Sequence, residues 1–308
     1  MDFQSLPTDA NSILALKWQD YEPFFRDLET RALQPEDIQT WLDDWSKLAA
    51  TVDEQYWRLY IATTVDTADK ESEERFNQYL EEIQPVAKTA EQTLKDKLLA
   101  SRLSPKGFET ALRMMQAEAE IFTEENLPLL AEEQKLGTEY NKIIGSLTVP
   151  WEGEERTFPQ MFPLLYEADR SVRQRAWEAA QTQLLKERQN INSLWEKFMP
   201  VRLKLAENAG LPDYRAYIWK QRFRFDYSPE DCYSFHAAIE ASIVPAAKRV
   251  YEKRRQRLGV DTLRPWDINV DPLGTTPIDP YESIAEFKSR SRAVLSRSIP
   301  NSVNTSRL

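Results

Sequence analysis

The sequence predicts an all-α fold with one small β-hairpin. Glycine is scarce, with seven in 308 residues. Most prolines precede segments in which apolar residues recur at spacings of three and four, as on the buried face of an α-helix. The exception lies near residues 143–158, where the turn sequence Trp151-Glu152-Gly153-Glu154 separates two short runs, and the hairpin is predicted there.

Helical periodicity and start signals define the elements of the first half. Residues 76–98 carry an apolar seam that predicts one long helix, and Pro85 should kink it because proline cannot donate a backbone hydrogen bond. Ser104-Pro105 reads as a cap followed by a first-turn proline. The predicted helices of this half are 35–49, 76–98, 104–121 and 123–142.

Capping residues predict where the helices in the second half of the chain begin and end. Asp169 should cap a helix, and Ser228-Pro229-Glu230-Asp231 should open another that ends at Gly259. A proline-containing loop at 263–281 is read as an ordered connector before a last helix from about Tyr281 to Leu295.

These elements divide the chain into four regions. The region that contains the hairpin also includes the helices after it. The C-terminal region has four serines and no carboxylate side chain, so its composition departs from that of the rest of the chain. The regions are an N-terminal helical region at 1–142, the hairpin with a helical region at 143–262, the connector with the last helix at 263–295, and an aberrant tail at 296–308.

Composition narrows the function classes. Fifty acidic against forty basic residues give a net charge of −10, which repels phosphate backbones and anionic lipid, so neither nucleic acid nor a membrane is an expected partner. No apolar run reaches the roughly 18 residues of a membrane helix, and no secretory signal opens the chain. With one cysteine, an internal disulfide is excluded and a cytoplasmic location is predicted.

Cys232 and His236 are the only local pair that could carry chemistry. They could act as nucleophile and base, or as half of a tetrahedral metal site. A structural interpretation is favoured, because Cys232 belongs to an apolar stripe that should face the core, with His236 at its edge. The stripe consists of Cys232, Phe235, Ile239, Ile243, Ala246 and Val250.

Three charged or aromatic clusters have ordinary surface explanations. The basic residues between Lys248 and Arg257 stand at a helix end, where cations offset the helix dipole. The acidic runs at 71–74, 81–82 and 132–133 lie on polar helix faces. Arg222-Phe223-Arg224-Phe225 could form a short strand or a substrate-facing edge, and the sequence does not choose between them.

An ordered set of segments resembles the oligoendopeptidase F family of zinc metallopeptidases. Each segment is a weak signal, but the order along the chain is much more specific. The segments are Trp151-Glu152-Gly153-Glu154-Glu155-Arg156-Thr157, Asp169-Arg170-Ser171-Val172-Arg173-Gln174-Arg175-Ala176-Trp177, Asn208-Ala209-Gly210-Leu211-Pro212-Asp213-Tyr214, Ser228-Pro229-Glu230-Asp231, Ile243-Val244-Pro245, Leu263-Arg264-Pro265-Trp266-Asp267 and Pro280-Tyr281.

The resemblance implies a bilobed helical fold around a channel that admits short peptides, with hydrolysis by a zinc-bound water. Zinc is therefore expected for the full-length family enzyme. The H-E-x-x-H motif that holds this zinc needs two histidines, and this chain has only His236. No catalytic residue can be carried over, no zinc is expected for this chain alone, and substrate-binding residues stay unassigned. Arg170, Arg173, Trp266 and Asp267 are expected to fix helices and the connector.

The sequence thus predicts the N-terminal lobe of a zinc oligopeptidase, truncated before its zinc motif and inactive alone. On this interpretation residues 263–295 hold the connector and the start of the missing catalytic region. The expected partners are short peptides. The alternative is a non-catalytic helical module that binds peptides or another protein, such as a separately encoded catalytic half.

Overall fold

The computed structural model describes residues 1–275 and 280–298. Within them the protein is mostly helical, with one two-stranded sheet, so the predicted all-α class with a small hairpin is confirmed. The helices are α1 Ala10–Ala15, α2 Trp18–Thr30, α3 Ile38–Val65, α4 Lys70–Glu82, α5 Gln84–Ser101, α6 Glu109–Ile121, α7 Asn126–Gly145, α8 Phe158–Met161, α9 Arg170–Lys186, α10 Arg188–Asn208, α11 Tyr214–Gln221, α12 Pro229–Ala238, α13 Val244–Leu258 and α14 Ile284–Ser298. The strands are β1 Thr148–Trp151 and β2 Glu154–Thr157.

The chain folds as two units, residues 1–149 with 181–240 and residues 150–180 with 241–308. In the first unit, α2, α3, α4 and α5 bury an aromatic-rich core that includes Tyr21, Trp41 and Phe76. Its polar atoms are paired: Trp41 Nε1 donates to the Leu28 carbonyl at 2.9 Å, and the Tyr21 hydroxyl donates to Gln55 Oε1 at 3.1 Å. Because an unpaired buried polar group would be costly, these bonds favour one packing of the helices.

The chain breaks at Ile83 where one kinked helix was predicted. Helix α4 ends at Glu82 and α5 begins at Gln84, so the prediction of a single helix over 76–98 is wrong. Pro85 cannot donate to the preceding turn and its ring crowds the carbonyl there, whereas both costs vanish in the first turn of a new helix. The apolar seam itself is confirmed, since Phe76, Leu80 and Leu94 are fully buried.

Other helix boundaries also differ from the prediction. The prolines Pro35 and Pro105 lie in turns, and the helices after them begin at Ile38 and Glu109. Helix α3 continues to Val65, well beyond the predicted end at Ala49, and α7 begins at Asn126 instead of Thr123. Proline suits a first turn but is equally compatible with the turn before it, so it marks a helix start only to within a few residues.

The hairpin lies where the sequence placed it. Strands β1 and β2 are joined by Glu152 and Gly153, which have φ of 53° and 89°. Two positive φ angles belong to the turn type whose twist matches that of paired strands, and glycine adopts them without steric cost.

The second unit contains α13, α14 and a short 3₁₀ helix, Pro265–Asp267, inside the predicted connector. Asp169 caps α9 as predicted, accepting from the Ser171 amide at 2.8 Å. Helix α14 includes Ser296–Ser298, the first residues of the predicted tail; the rest of that tail, and residues 276–279 of the connector, lie outside the described residues.

Ser228 is the predicted N-cap of α12, and its hydroxyl accepts from the Asp231 amide at 3.2 Å. The helix does not run unbroken to Gly259, however, because a π-helical segment, Ile239–Ile243, separates α12 from α13. Pro245 comes soon after this segment and lacks the N–H that a regular α-turn would use, so the widened turn accommodates the proline. The predicted end is confirmed, with Gly259 at a φ of 64°.

None of the helices within the described ranges is long and apolar enough to cross a membrane.

The C-terminus of α2 provides a stability test. Lys97 Nζ donates to the Leu28 and Glu29 carbonyls at 2.8 and 2.7 Å and also to the Arg31 carbonyl. Lys97→Met leaves these carbonyls, two of them partly buried, without their cation, so we expect the free energy of unfolding in urea to fall by about 1–2 kcal/mol. The exposed control Lys106→Met should change it by less than about 0.5 kcal/mol; equal effects of the two variants would contradict the capping role.

Candidate functional site

Cys232 and His236 lie one turn apart on α12, as predicted. Cys232 is half-buried and His236 is exposed. Among the residues that the structure describes, no group of three or more His, Cys, Asp or Glu side chains could hold a metal ion. A tetrahedral zinc site needs more ligands than this pair supplies, so the residues present do not fit the H-E-x-x-H type of zinc centre that the family resemblance implies.

The apolar stripe of α12 and α13 does not face a core. Phe235, Ile243 and Val250 are 65%, 59% and 61% exposed, and neither helix contains a buried residue. The prediction that this stripe packs inward is therefore wrong. Periodicity shows that a helix has an apolar face, but it does not show which surface covers that face. Exposed apolar side chains in series are typical of an interaction surface.

Asp267 is the most constrained charge of the second unit. Its carboxylate is fully buried and accepts two parallel bonds from Arg170, Nε to Oδ1 at 2.9 Å and Nη2 to Oδ2 at 2.8 Å. Arg173, itself buried, donates from Nη2 to Oδ1 at 3.3 Å and from Nε to the Trp266 carbonyl at 2.9 Å. The predicted structural role of these four residues is confirmed, because α9 holds the connector through them.

The hydrogen bonds around Asp267 also extend to α13. Arg254 Nη1 donates to the carbonyls of Asp267 and Val270 at 3.1 and 2.6 Å. Arg255 Nη1 donates to the Val260 carbonyl at 3.0 Å. The basic residues between Lys248 and Arg257 were predicted to form a solvated helix end. That prediction is too simple, since Arg254 and Arg255 bind the backbone beyond the end of the helix.

The charges around Asp267 set its ionisation. Burial opposes ionisation, but hydrogen bonds from Arg170, the Arg264 amide and Arg173 outweigh it and keep the pKa of this carboxyl below its ordinary value. Asp267 is therefore an anion in the folded protein at neutral pH.

Each of the three acidic runs has a specific partner. Lys142 Nζ donates to both carboxylate oxygens of Glu73 at 3.0 and 2.9 Å, and Lys135 Nζ donates to Glu81. Glu133 accepts from Arg202 Nε at 2.8 Å and from the Tyr214 hydroxyl at 3.2 Å, so it is not ordinary surface. Nothing in the sequence around Glu133 could have revealed partners that lie so far along the chain.

The Arg222–Phe225 segment forms a turn and not a strand. The Arg224 guanidinium lies 4.7 Å from the Trp219 ring centroid, and that of Arg113 lies 4.2 Å from the Phe225 ring centroid. These cation–π contacts hold the turn against α11 and α6.

Neutralising the buried carboxylate should destabilise the protein. In Asp267→Asn two guanidiniums lose their anion, and we expect the free energy of unfolding to fall by about 3 kcal/mol, measured by urea denaturation at pH 7. Asp261→Asn is the matched control, since Asp261 is exposed. A loss as small as that of the control would show that the pair does not hold the connector.

The difference in stability between the wild type and Asp267→Asn should depend on pH. Because the folded pKa of Asp267 lies below its unfolded value, its contribution is complete above the unfolded pKa of about 4 and is lost as the pH falls through the folded pKa. The stability difference between wild type and Asp267→Asn should therefore shrink below about pH 4. A difference that stays constant down to pH 2 would refute the ionic role.

Comparisons with known proteins agree with the fold. The Peptidase M3 N-terminal domain matches residues 15–122, and Peptidase family M3 matches residues 163–289. Among curated proteins, no sequence matches this chain at a significant level.

Three solved structures are similar over almost the whole chain. A structure described as an oligoendopeptidase F has a TM-score of 0.85 at 21% identity, covering 97% of this chain and 53% of that one. A PZ peptidase A with an inhibitor gives 0.81 at 22% identity, covering 97% and 53%. A Bacillus anthracis protein described as an oligoendopeptidase F gives 0.79 at 20% identity, covering 95% and 54%.

The chain thus spans about half the length of these structures and shares their fold. Two domain models of one family match it in order, on either side of the hairpin. The chain therefore belongs to peptidase family M3.

Proposed function

We propose that this chain is the helical, substrate-enclosing part of a zinc oligopeptidase and that the residues holding the catalytic zinc come from outside this sequence. The observation that carries the proposal is the ordered match of two family M3 domains to a chain with a single histidine. Zinc peptidases of the H-E-x-x-H type need two imidazoles on one helix and a glutamate that activates water. His236 can supply at most one of them.

The proposed substrates are short peptides. This part of the proposal rests on family membership. The predicted cytoplasmic location likewise stays a prediction.

Exposed apolar side chains on α13 and in the π-helical segment before it support a missing partner segment. Ile243, Val250 and Tyr251 are each about half exposed or more, and α13 has no buried residue. Leaving such side chains in water forgoes roughly 25 cal/mol for each Å² of apolar surface that a partner would cover. We propose that the segment bearing the zinc ligands covers this face.

The purified chain tests the catalytic part of the proposal. We expect no stoichiometric zinc by elemental analysis and no cleavage of a quenched fluorescent peptide above background, because one imidazole does not complete a site. His236→Ala should leave both readings unchanged. One zinc per chain together with turnover, both lost in His236→Ala, would overturn the proposal.

Complementation tests the partner. Co-expression with a polypeptide that carries H-E-x-x-H, encoded by the adjoining DNA, should give a zinc-containing complex that cleaves peptides. Ile243→Asp and Val250→Asp should weaken its assembly in pull-down experiments, since a charge at a covered apolar site is costly. Val65→Asp is the control, because Val65 is 80% exposed on α3. Equal weakening by all three variants would contradict the assigned face, and adjoining DNA without the motif would contradict a partner encoded there.

A further inference from the structure

A second candidate site lies in the first unit, far in sequence from the α12–α13 stripe and from Asp267. A cavity of about 420 Å³ opens beside α3 and α5. We call it the α3–α5 cavity. Its aromatic lining includes Trp45, Tyr56, Trp57 and Tyr79, and its charged lining includes Asp53 and Lys88. Its volume falls in the range of small-molecule sites.

The aromatic side chains that line the cavity differ in their exposure to solvent. Trp45 and Tyr79 are buried, whereas Trp57 is 53% exposed. Tyr56 joins them, with its ring centroid 5.2 Å from that of Trp57 and 6.0 Å from that of Tyr79. Rings in edge contact present both apolar faces and electron-rich surfaces, which suits an apolar group or an ammonium.

Two of the three charged residues that line the cavity have no direct partner among the described residues. Asp53 and Lys88 make no hydrogen bond and no ion pair with any described residue. The charge of each nevertheless contributes to the pKa of the other. Their neighbour Glu91 is different, because Lys95 Nζ lies 3.0 Å from it and 2.8 Å from Glu118. The cavity therefore offers one carboxylate and one ammonium whose bonding capacity is unused.

Both groups are exposed, so a ligand in the cavity can reach them from solvent. Burial raises the pKa of Asp53, and the nearby charge of Glu91 raises it further, while Lys95 and Lys88 act in the opposite direction. Desolvation also lowers the pKa of Lys88, although part of its side chain remains exposed. A ligand that pairs with each charge would form charge-assisted hydrogen bonds with both groups.

We propose that the α3–α5 cavity binds a small zwitterion with an apolar body, namely an α-amino acid or a dipeptide with an apolar side chain. Asp53 accepts hydrogen bonds from the ligand ammonium, Lys88 donates to its carboxylate, and the aromatic rings contact its side chain. A simple cation would pair with Asp53 but would leave Lys88 unpaired and repel it, and a simple anion would be repelled by Asp53 and Glu91. The site goes beyond the proposed peptidase role, since it binds its ligand whether or not the chain takes part in hydrolysis.

Calorimetric titration of the whole chain tests the ligand class. Phenylalanine should bind, whereas N-acetylphenylalanine, which lacks the ammonium, and phenylalaninamide, which lacks the carboxylate, should each bind at least about tenfold more weakly. Titration with phenylalanyl-alanine separates a site for free amino acids from one for dipeptides. Absence of binding by both zwitterions, or equal binding of phenylalanine and its two analogues, would overturn the proposal.

Two variants test the assigned contacts. Asp53→Asn should weaken phenylalanine binding about tenfold without weakening N-acetylphenylalanine, and Lys88→Met should do the same for phenylalanine against phenylalaninamide. Asp43→Asn and Lys106→Met are matched controls, because both residues are exposed and outside the cavity. Asp53 and Lys88 are exposed, as the two control residues are, so circular dichroism should show folded variants. Equal loss for all three ligands in either lining variant would contradict the assigned pairing.

Discussion

The buried carboxylate of Asp267 is the constraint on which the second unit depends. A charge removed from water is costly, and here the cost is offset by a two-bond pair with Arg170 and a further bond from Arg173. Arg254 then binds the Asp267 carbonyl from α13. One residue of a 3₁₀ turn thus links the start of α9, residues 264–270 of the connector and the end of α13.

The same physics separates a structural charge from a candidate binding charge. At Asp267 the guanidiniums of the chain itself satisfy the carboxylate, and no bonding capacity is left for a ligand. Asp53 and Lys88 line a cavity, are exposed to solvent and have no direct partner among the described residues. A perturbed ionisable group is therefore informative about binding only when its partners have been counted.

Family membership and chemistry are carried by different residues of this chain. The fold follows from apolar seams and caps distributed along helices, so it can be shared with about half of each similar solved structure at only 20–22% identity. Hydrolysis depends instead on a few ligands at fixed geometry, and a chain with one histidine lacks them. The exposed stripe at Phe235, Ile243 and Val250 is consistent with this division, since it is a helix face that has no cover in the described residues.

Local signals in the sequence determined the helical class, the hairpin at Glu152-Gly153, the caps at Asp169 and Ser228 and the helix end at Gly259, because each depends on neighbouring residues alone. The tertiary structure decided the exposure of the α12–α13 stripe and the placement of Asp53 and Lys88 in the lining of one cavity. Periodicity identifies which face of a helix is apolar, but only packing determines what covers that face and which distant charges come close together.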